Sequence, residues 1–224
     1  MTRAAPAYGD HGFRHAKLRP HDLLTPASAG DLVGEDPPAW VREDLSVMSM
    51  VVVRRAEARD GLVPVGVRGK NRDRRFAAHL PLASITRALT PEMLARAAAW
   101  RTARRSNDLP HFAVLDPVAR LFDEAALVWG PTGSMGYELA SGVACLTATS
   151  DIDLVVQAPF ALSRVLSASL YDSLRRLPVR VDAQIETPSG AVALAEHASG
   201  AACFALRTSW GPRLVDDPWR EWAR

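Results

Sequence analysis

The sequence predicts an α+β protein in which a mixed sheet is covered by helices and a small β-rich module comes first. Valine-rich, strand-like runs dominate residues 46–69, whereas short apolar runs alternate with helical patterns after residue 126. The chain has 224 residues, enough for one large domain or two small ones. We therefore predict an arginine-bearing β-rich module at residues 1–87 and a larger domain at residues 88–224.

The N-terminal module is predicted to consist mainly of strands. Residues 46–55 (SVMSMVVVRR) and 62–69 (LVPVGVRG) have the composition of two strands, and residues 56–61 form the turn between them. Residues 70–81 (KNRDRRFAAHLP) follow with four more basic side chains. The module therefore combines a small sheet with a dense positive charge.

A helix is predicted to open the larger domain. Thr90 suits the N-cap, Pro91 the first helical position and Glu92 the first turn. The pattern predicts that this helix continues through residues 93–105. A second, short helix is predicted over residues 118–126, beginning at Asp116-Pro117.

Strands and helices alternate through the rest of the chain. Strands are predicted at residues 126–130, 151–156, 179–186 and 203–208, the last of these being the final strand. Helices are predicted at residues 134–140, 160–177 and 191–198. The 160–177 helix has one apolar face, formed by Leu162, Val165, Leu166, Leu170 and Leu174. Residues 179–186 alternate strictly, which predicts a strand with one buried face.

The composition excludes several classes of protein. A net charge of +2 and a pI of about 8.8 are too weakly basic to indicate a general nucleic-acid binder. No apolar run approaches the roughly 18 residues that a membrane span needs. Cys145 and Cys203 lie among small or apolar neighbours, which predicts two buried, reduced thiols and a cytoplasmic location. The N-terminus has no apolar run typical of a signal peptide.

Two carboxylates stand out in the predicted strand at residues 151–156. Side chains at i and i+2 share one face of a strand, so Asp151 and Asp153 should project together. A hard cation such as Mg²⁺ would relieve their repulsion. Asp182 on a neighbouring strand is the candidate third carboxylate, with Glu186 as the alternative. Taken alone, the Asp-x-Asp pattern could equally be a structural feature of a turn.

Gly133-Ser134 adds a second chemical element. A strand, a tight glycine turn and a helix start bring backbone N–H groups together at an anion site. Gly130 and Gly133 would let the backbone approach a phosphate, and Ser134 adds a hydroxyl. A phosphate cradle followed by paired carboxylates is what nucleotidyl transfer needs, although Gly-Ser alone would indicate only an ordinary turn.

These elements together resemble the polymerase-β-like nucleotidyltransferase superfamily. The spacing of sixteen residues between Ser134 and Asp151 is longer than usual in that superfamily. The longer spacing, with residues 137–142 (YELASG) and 150–156 (SDIDLVV), is similar to one family in that superfamily. This family is the phosphoribosyl-dephospho-CoA transferases of malonate decarboxylase, also called holo-acyl-carrier-protein synthases. Further stretches carry the same resemblance, namely residues 19–24 (RPHDLL), 51–81, 90–94 (TPEML) and 179–196.

This resemblance implies a substrate, a partner and site roles. The substrate would be 2′-(5″-triphosphoribosyl)-3′-dephospho-CoA, and its phosphoribosyl-dephospho-CoA group would pass to a serine of the acyl-carrier subunit of malonate decarboxylase, with release of pyrophosphate. Asp151 and Asp153 would bind magnesium, with Asp182 as the third acidic residue. Gly133 and Ser134 would hold the triphosphate. Nucleic acid and membrane are not expected as partners.

The arginines of the N-terminal module allow two interpretations. Arg68, Arg72 and Arg75 flank the glycine turn at Gly69 and are the preferred candidates to close over the triphosphate or to dock an acidic carrier protein. A solvated charged face is the alternative for many basic residues here. His21-Asp22 could be a catalytic pair, although a structural histidine is the more ordinary interpretation.

Two other functions stay open on the residues alone. One is a nucleotidyltransferase that uses ATP, or another nucleoside triphosphate, on a small molecule or a protein hydroxyl. The other is a catalytically silent nucleotide-binding module. Label transfer from ATP would indicate the first, and the absence of a magnesium site would indicate the second.

Overall fold

The computed structural model describes residues 18–70 and 73–221, and its first sheet is built from the N-terminal part of the chain. The five strands are antiparallel, in the order β4-β3-β2-β1-β5. They are β1 (Leu23–Pro26), β2 (Val51–Val53), β3 (Leu62–Arg68), β4 (Arg75–Pro81) and β5 (Ile85–Leu89). The predicted β-rich module is therefore a five-stranded sheet, and the predicted boundary between residues 87 and 88, which lies within β5, stays a prediction.

Helix α1 (Ala39–Met48) covers one face of this sheet. Val41 and Leu45 are buried against Val51 and Val65, at the spacing that a helix requires. The strand predicted from residue 46 is therefore wrong at its start, because residues 46–48 complete this helix. Ser49 then turns the chain with a left-handed φ of 48°.

A second sheet of six strands forms the larger part of the molecule, in the order β11-β10-β9-β8-β7-β6. The strands are β6 (Val128–Pro131), β7 (Ile152–Gln157), β8 (Val181–Thr187), β9 (Gly190–Ala193), β10 (Phe204–Thr208) and β11 (Gly211–Val215). Strands β7 and β8 are parallel and the other neighbours are antiparallel, so the sheet is mixed. The predicted α+β class is confirmed.

Two predictions at the end of the chain are wrong. Residues 191–193 belong to β9, because a hairpin from Thr187 to Gly190 pairs them with β8 and buries Ala191 and Val192. Only Leu194–Ala198 form helix α6. β10 is not the last strand: β11 follows it at the sheet edge, where its exposed Leu214 leaves no alternation to recognise.

The helices that precede β6 also differ from prediction. Thr90 does cap α2 (Pro91–Arg96), since the Met93 N–H donates to Thr90 Oγ1 at 3.2 Å. The helix stops there, because Ala98 adopts a φ of 46° and turns Trp100 into the core. Helix α3 (Pro110–Glu124) begins well before Asp116 and contains Pro117 in its interior.

Burial explains why α3 tolerates its internal proline. His111, Phe112, Val114, Leu115, Val118 and Phe122 are all buried along one helix face. Pro117 removes the hydrogen bond to the carbonyl of Ala113, which is an exposed residue where water can replace the missing donor. The burial of these side chains outweighs the free-energy cost of the lost hydrogen bond at Pro117. A sequence pattern alone does not show this balance.

Helices α4 (Gly133–Ser141) and α5 (Arg164–Leu174) correspond to predicted helices. Leu170 and Leu174 are buried on α5, but Val165 is 81% exposed, so its assignment to the apolar face is wrong. Ser163 caps α5, and Val165 therefore sits in the first turn, beyond the edge of the core. The prediction of two buried thiols is also wrong: Cys145 is half-buried and Cys203 is exposed, although both are free.

The alternation of β8 gives the second sheet one apolar, buried face and one polar face at this strand. Ala183 and Ile185 are buried in the main core with Ile152 and Leu154 of β7. Asp182, Gln184 and Glu186 alternate with them and so point to the opposite face. In the part of the chain that the structure describes, no helix has the length and apolar character needed to cross a membrane.

Candidate active site

A cavity of about 560 Å³ lies between the two sheets. Strands β2, β3 and β4 form one wall, and the turn between β6 and α4 forms another, together with Asp153 of β7 and Gln184 of β8. The charged and polar residues that line it are His21, Arg54, Arg68, Arg75, Thr132, Ser134, Asp153 and Gln184. Most of the predicted substrate-binding residues therefore meet at one place.

The turn before α4 lies directly on Asp153. Gly133 has a φ of 57°, and a Cβ there would overlap the Asp153 carboxylate. The Thr132 N–H donates to the Asp153 carbonyl at 2.8 Å, which fixes the turn to β7. Thr132 occupies the N-cap position and lines the cavity, but sequence reasoning did not single it out.

The start of α4 is open to an anion. The first backbone bond of this nine-residue helix runs from the Gly136 N–H to the Thr132 carbonyl at 2.8 Å. The N-cap side chain makes no capping bond, so the N–H groups of Gly133 and Ser134 are not satisfied by the helix. The N–H groups at a helix start and the helix dipole together favour a phosphate at this position.

Arginine from the first sheet completes this region. Arg68 donates through Nη2 to Ser134 Oγ at 2.8 Å, and its guanidinium carbon lies 6.0 Å from the centroid of the Tyr137 ring. Arg75 is the register partner of Arg68 on β4. Within residues 18–70 and 73–221, no carboxylate forms an ion pair with Arg54, Arg68 or Arg75. Arg72 lies outside the described residues.

The carboxylates occupy neighbouring strands. Asp153 and Asp182 are direct register partners in the parallel β7–β8 pair. Asp153 lines the cavity, whereas Asp151 precedes β7 with its side chain 41% exposed and 3.7 Å from Arg180 Nε. Within the described ranges, no group of three His, Cys, Asp or Glu residues could hold a metal ion as it stands. The three-carboxylate set therefore stays a prediction, and the structure brings Asp153 and Asp182 onto one rung.

Glu186 has a different environment from Asp182. It pairs with Gln157 in the sheet register, forms an ion pair with Arg55, and lies 3.9 Å from His21 Nε2. Burial raises the pKa of Glu186, and Arg55 opposes this effect. The geometry favours Asp182 over Glu186 as the acidic neighbour of Asp153.

In the His21-Asp22 dipeptide, Asp22 is buried and His21 is half-buried at the edge of the cavity. Burial, with help from Arg55 and Arg207, lowers the pKa of His21 to about 4. Burial raises the pKa of Asp22 to about 7, against a hydrogen bond from the Arg19 N–H to Asp22 Oδ2 at 2.9 Å. In the described chain Asp22 Oδ1 is buried and has no hydrogen-bond partner. These residues do not form a histidine–aspartate hydrogen bond, which supports the structural interpretation.

A buried carboxylate organises the segment between α4 and β7. Glu138 Oε2 accepts hydrogen bonds from the N–H groups of Cys145 and Leu146 at 2.7 and 2.8 Å. Arg105 Nη1 lies 3.2 Å from Glu138 Oε1 and balances its charge. His111 Nε2 lies 2.8 Å from the Ser150 carbonyl, next to Asp151. Sequence reasoning missed Glu138, whose only signal was an acid at an inward-facing helical position.

The arrangement suits the transfer of a phosphate-linked group. Backbone N–H groups, a hydroxyl and a guanidinium surround one end of the cavity, and the oxygen ligands of Asp153 lie beside them. Such donors hold phosphate oxygens, and carboxylate oxygens are the ligands that magnesium prefers.

Comparisons with known proteins agree with this chemistry. Residues 19–91 match the model of the phosphoribosyl-dephospho-CoA transferase MdcG N-terminal domain, and residues 92–218 match that of its C-terminal domain. A phosphoribosyl-dephospho-CoA transferase of Azotobacter vinelandii (strain DJ) is 45% identical over 91% of this chain and 95% of its own length. Relatives of the same name in Pseudomonas putida (strain W619) and Pseudomonas aeruginosa (strain PAO1) are 42% and 41% identical, over 90% and 92% of this chain and 95% and 96% of their own lengths.

No solved structure matches the chain significantly. The match to both domain models and the identity to full-length relatives nevertheless place the family without ambiguity. The chain belongs to the phosphoribosyl-dephospho-CoA transferase family.

Proposed function

We propose that this enzyme transfers the phosphoribosyl-dephospho-CoA group from 2′-(5″-triphosphoribosyl)-3′-dephospho-CoA to a serine of the apo acyl-carrier subunit of malonate decarboxylase. The observation that carries the proposal is the Arg68–Ser134 contact above the open start of α4, directly beside Asp153. Family membership supplies the transferred group. The carrier serine, the release of pyrophosphate and the cytoplasmic setting are our proposals.

In this mechanism the turn before α4 holds the end of the triphosphate that leaves. The N–H groups of Gly133 and Ser134 donate to phosphate oxygens, while Arg68 neutralises their charge from the facing sheet. The Ser134 hydroxyl accepts from Arg68, which leaves its own hydrogen free to donate to the phosphate. The serine oxygen of the carrier attacks the α-phosphorus and gives up its proton to water. The bond between the α-phosphorus and the oxygen that bridges to the β-phosphorus breaks, and pyrophosphate leaves.

The residues present fit a magnesium ion in their donor chemistry. Asp153 and Asp182 would hold it, because magnesium needs only one or two protein carboxylates when substrate phosphates complete its shell. When bound, the ion would neutralise negative charge on the departing pyrophosphate. Asp151 stays in the proposed set through its place two residues before Asp153, although here it pairs with Arg180.

Mass spectrometry of the apo carrier subunit tests this proposal. The carrier is incubated with the enzyme, the triphosphoribosyl precursor and magnesium, and the mass of one phosphoribosyl-dephospho-CoA group should be added at a serine. Asp153→Asn and Asp182→Asn should slow this addition by at least about a hundredfold. Asp172→Asn, at a carboxylate of α5 that forms an ion pair with Arg175, is the matched control and should act like wild type.

Two results would overturn the proposal. An unmodified carrier after incubation with wild-type enzyme would exclude this acceptor. Transfer of label from ATP in place of the precursor would favour a nucleotidyltransferase that acts on ordinary nucleotides.

A further inference from the structure

The cavity wall opposite α4 contains a trough of small side chains. Val52, Gly66 and Ala77 lie on one rung across β2, β3 and β4. All three line the cavity. Arg68 and Arg75 form the next cavity-facing rung, so one end of the trough is cationic and faces Ser134.

Arg54 lies at the other end of this trough. Its N–H donates to the Pro64 carbonyl at 2.8 Å, which places its backbone beside Pro64, four residues from Arg68 along β3. At about 3.3 Å per residue, the two arginines are attached about 13 Å apart. The side chain of Arg54 bends back over Gly66, since its Cγ and Cδ would be 3.4 Å from a Cβ at that position.

Arg54 differs in its charge environment from its neighbour Arg55. The adjacent Arg55 pairs with the buried Glu186, whereas no carboxylate in the described part of the chain pairs with Arg54. An unpaired guanidinium that lines a cavity and lies over a glycine is available to an anionic ligand. Gly66 gives this side chain its path, because a larger residue would occupy the trough.

The substrate of the proposed function carries two separate anionic groups. One is the triphosphate, whose α-phosphorus reacts. The other is the diphosphate that joins the adenosine of dephospho-CoA to its pantetheine arm. The α4 turn and Arg68 can hold only the first of these while the reaction proceeds. A second cation in the same cavity, attached beside Pro64 and lying over Gly66, fits the second group.

We propose that Arg54, bent over Gly66, binds the diphosphate of the dephospho-CoA moiety and forms a second anion subsite apart from the triphosphate turn. The inference rests on the proposed function and names a specificity residue for it. A nucleoside triphosphate lacks this second phosphate group, so Arg54 would distinguish the substrate from ATP. Arg54 binds a part of the substrate that does not react, so its loss should raise KM and leave kcat nearly unchanged.

Calorimetric titration with two probes separates the subsites. Of the two anionic groups of the substrate, dephospho-CoA carries only the diphosphate, and inorganic tripolyphosphate represents only the triphosphate. Arg54→Ala should weaken dephospho-CoA binding about tenfold or more and leave tripolyphosphate binding unchanged, and Arg68→Ala should do the reverse. Arg59→Ala, at an exposed arginine of the β2–β3 turn, is the matched control and should bind both probes like wild type.

A second variant tests the trough without removing the charge. Gly66 has an ordinary strand conformation and few close neighbours besides Arg54, so Gly66→Val should fold and displace the guanidinium. It should lose dephospho-CoA binding in the same way as Arg54→Ala.

The subsite is overturned if wild type does not bind dephospho-CoA, or if Arg54→Ala binds it as tightly as wild type or loses both probes equally. Modification of the carrier by wild-type enzyme is scored separately. If the carrier is modified but the two variants do not affect the two probes differently, the subsite is contradicted and the proposed function still holds. If the two variants affect the two probes differently but the carrier is not modified, the subsite holds and the proposed function is contradicted.

Discussion

Gly133 is the residue that lets the turn before α4 and the Asp153 carboxylate lie against each other. Its positive φ allows the sharp entry into α4, and its missing side chain leaves room for the Asp153 carboxylate. These two requirements can be separated, because Gly142 at the end of the same helix also has a positive φ, of 73°. Beyond its chain neighbours and its own helix backbone, no atom of the described residues lies within 4 Å of where a Cβ would be.

Gly133→Ala should therefore remove activity, whereas Gly142→Ala should not. Both substitutions place an alanine in the left-handed region, at a cost of roughly 1–2 kcal/mol in unfolding free energy. Only the first also displaces Asp153, and it should slow transfer by at least about a hundredfold. Denaturation curves and carrier modification measure the two effects. Equal activity losses in the two variants would show that backbone strain alone is responsible.

Asp22 shows how burial makes a single side chain sensitive to pH. Its pKa is raised from 3.8 to about 7 by burial. Above pH 4 the unfolded chain loses this proton, while the folded protein keeps it up to about pH 7. Stability associated with Asp22 is therefore lost as the pH rises from about 4 to about 7.

Asp22→Asn should gain stability relative to wild type over this pH range. The difference in unfolding free energy should move in favour of the variant by up to a few kcal/mol between pH 4.5 and pH 8. His21, whose lowered pKa causes stability to be lost as the pH falls from 6.5 to about 4, is present in both proteins and cancels in the difference. Urea denaturation of both proteins at pH 4.5, 6 and 8 measures this difference in unfolding free energy.

Asp116→Asn is the control for this experiment. Hydrogen bonds from Trp100 and Arg101 lower the pKa of Asp116, so its contribution is present above about pH 4 and lost only below. The difference in unfolding free energy between Asp116→Asn and wild type should be constant between pH 5 and pH 8. A constant difference for Asp22→Asn as well would contradict the assigned pKa.

At the scale of elements, α4 and β7 act as one unit because Glu138 ties the intervening segment to the helix. Two backbone N–H groups of residues 145–146 depend on this one carboxylate. The segment has little regular structure of its own between Ser141 and Ile152. Glu138 therefore fixes the position from which the chain enters β7 at Asp151 and Asp153.

Glu138→Ala should loosen this segment while the sheets stay folded. Loss of charge-assisted bonds costs about 2–3 kcal/mol, and the amides of Cys145 and Leu146 should exchange with solvent much faster. Glu138→Gln keeps one acceptor oxygen and should be intermediate. Glu124→Ala, at the exposed end of α3, should match wild type. Unchanged amide exchange in Glu138→Ala would mean that the segment is held by other contacts.

Elements with a strong local signal were predictable from sequence, and those decided by tertiary burial were not. The cap at Thr90, the helix after Gly133 and the alternating β8 follow from local chemistry. The start of α3, the exposure of Val165 and the strand at residues 190–193 depend on what packs beside them. No local pattern could have shown these.

The residues of the candidate site also fall into two groups, those that the sequence predicts and those that only the tertiary structure reveals. Gly133, Ser134, Asp153 and Arg68 carry recognisable chemistry, and the structure brings them together. Arg54 and Thr132 reach the cavity through strand register and a turn, and Glu138 acts through backbone N–H groups seven and eight residues further on. Residue type alone does not distinguish such positions from ordinary surface or core residues.

At the scale of the whole molecule, the two sheets are joined around the cavity they form. Tyr137 of α4 packs among Leu23, Met48, Met50 and Leu89, which belong to the N-terminal part. Its hydroxyl lies 2.6 Å from the Met48 carbonyl and 2.9 Å from the Met50 carbonyl. Helix α4, which begins at the Gly133 turn, is thus anchored in the N-terminal part.

Ion pairs reinforce this junction at its polar side. Arg19 Nη2 lies 2.8 Å from Glu92 Oε2 of α2, and Arg55 pairs with Glu186 of β8. Arg68 adds the contact with Ser134. Each bridge runs from the N-terminal part to the larger part, so the cavity keeps its width only while the two parts stay together.

Tyr137→Phe tests whether this junction contributes to global stability. The ring still fills the apolar cluster, but the Met48 and Met50 carbonyls lose a buried donor, which should lower the unfolding free energy by about 1–2 kcal/mol. Tyr171→Phe, on α5 and away from the junction, should change it by less than about 0.5 kcal/mol. Because α4 carries Ser134, Tyr137→Phe should also weaken tripolyphosphate binding, whereas Tyr171→Phe should not. Equal stability and binding in the two variants would show that the hydroxyl does not couple the sheets, and the cavity would then depend on the ion pairs and apolar packing alone.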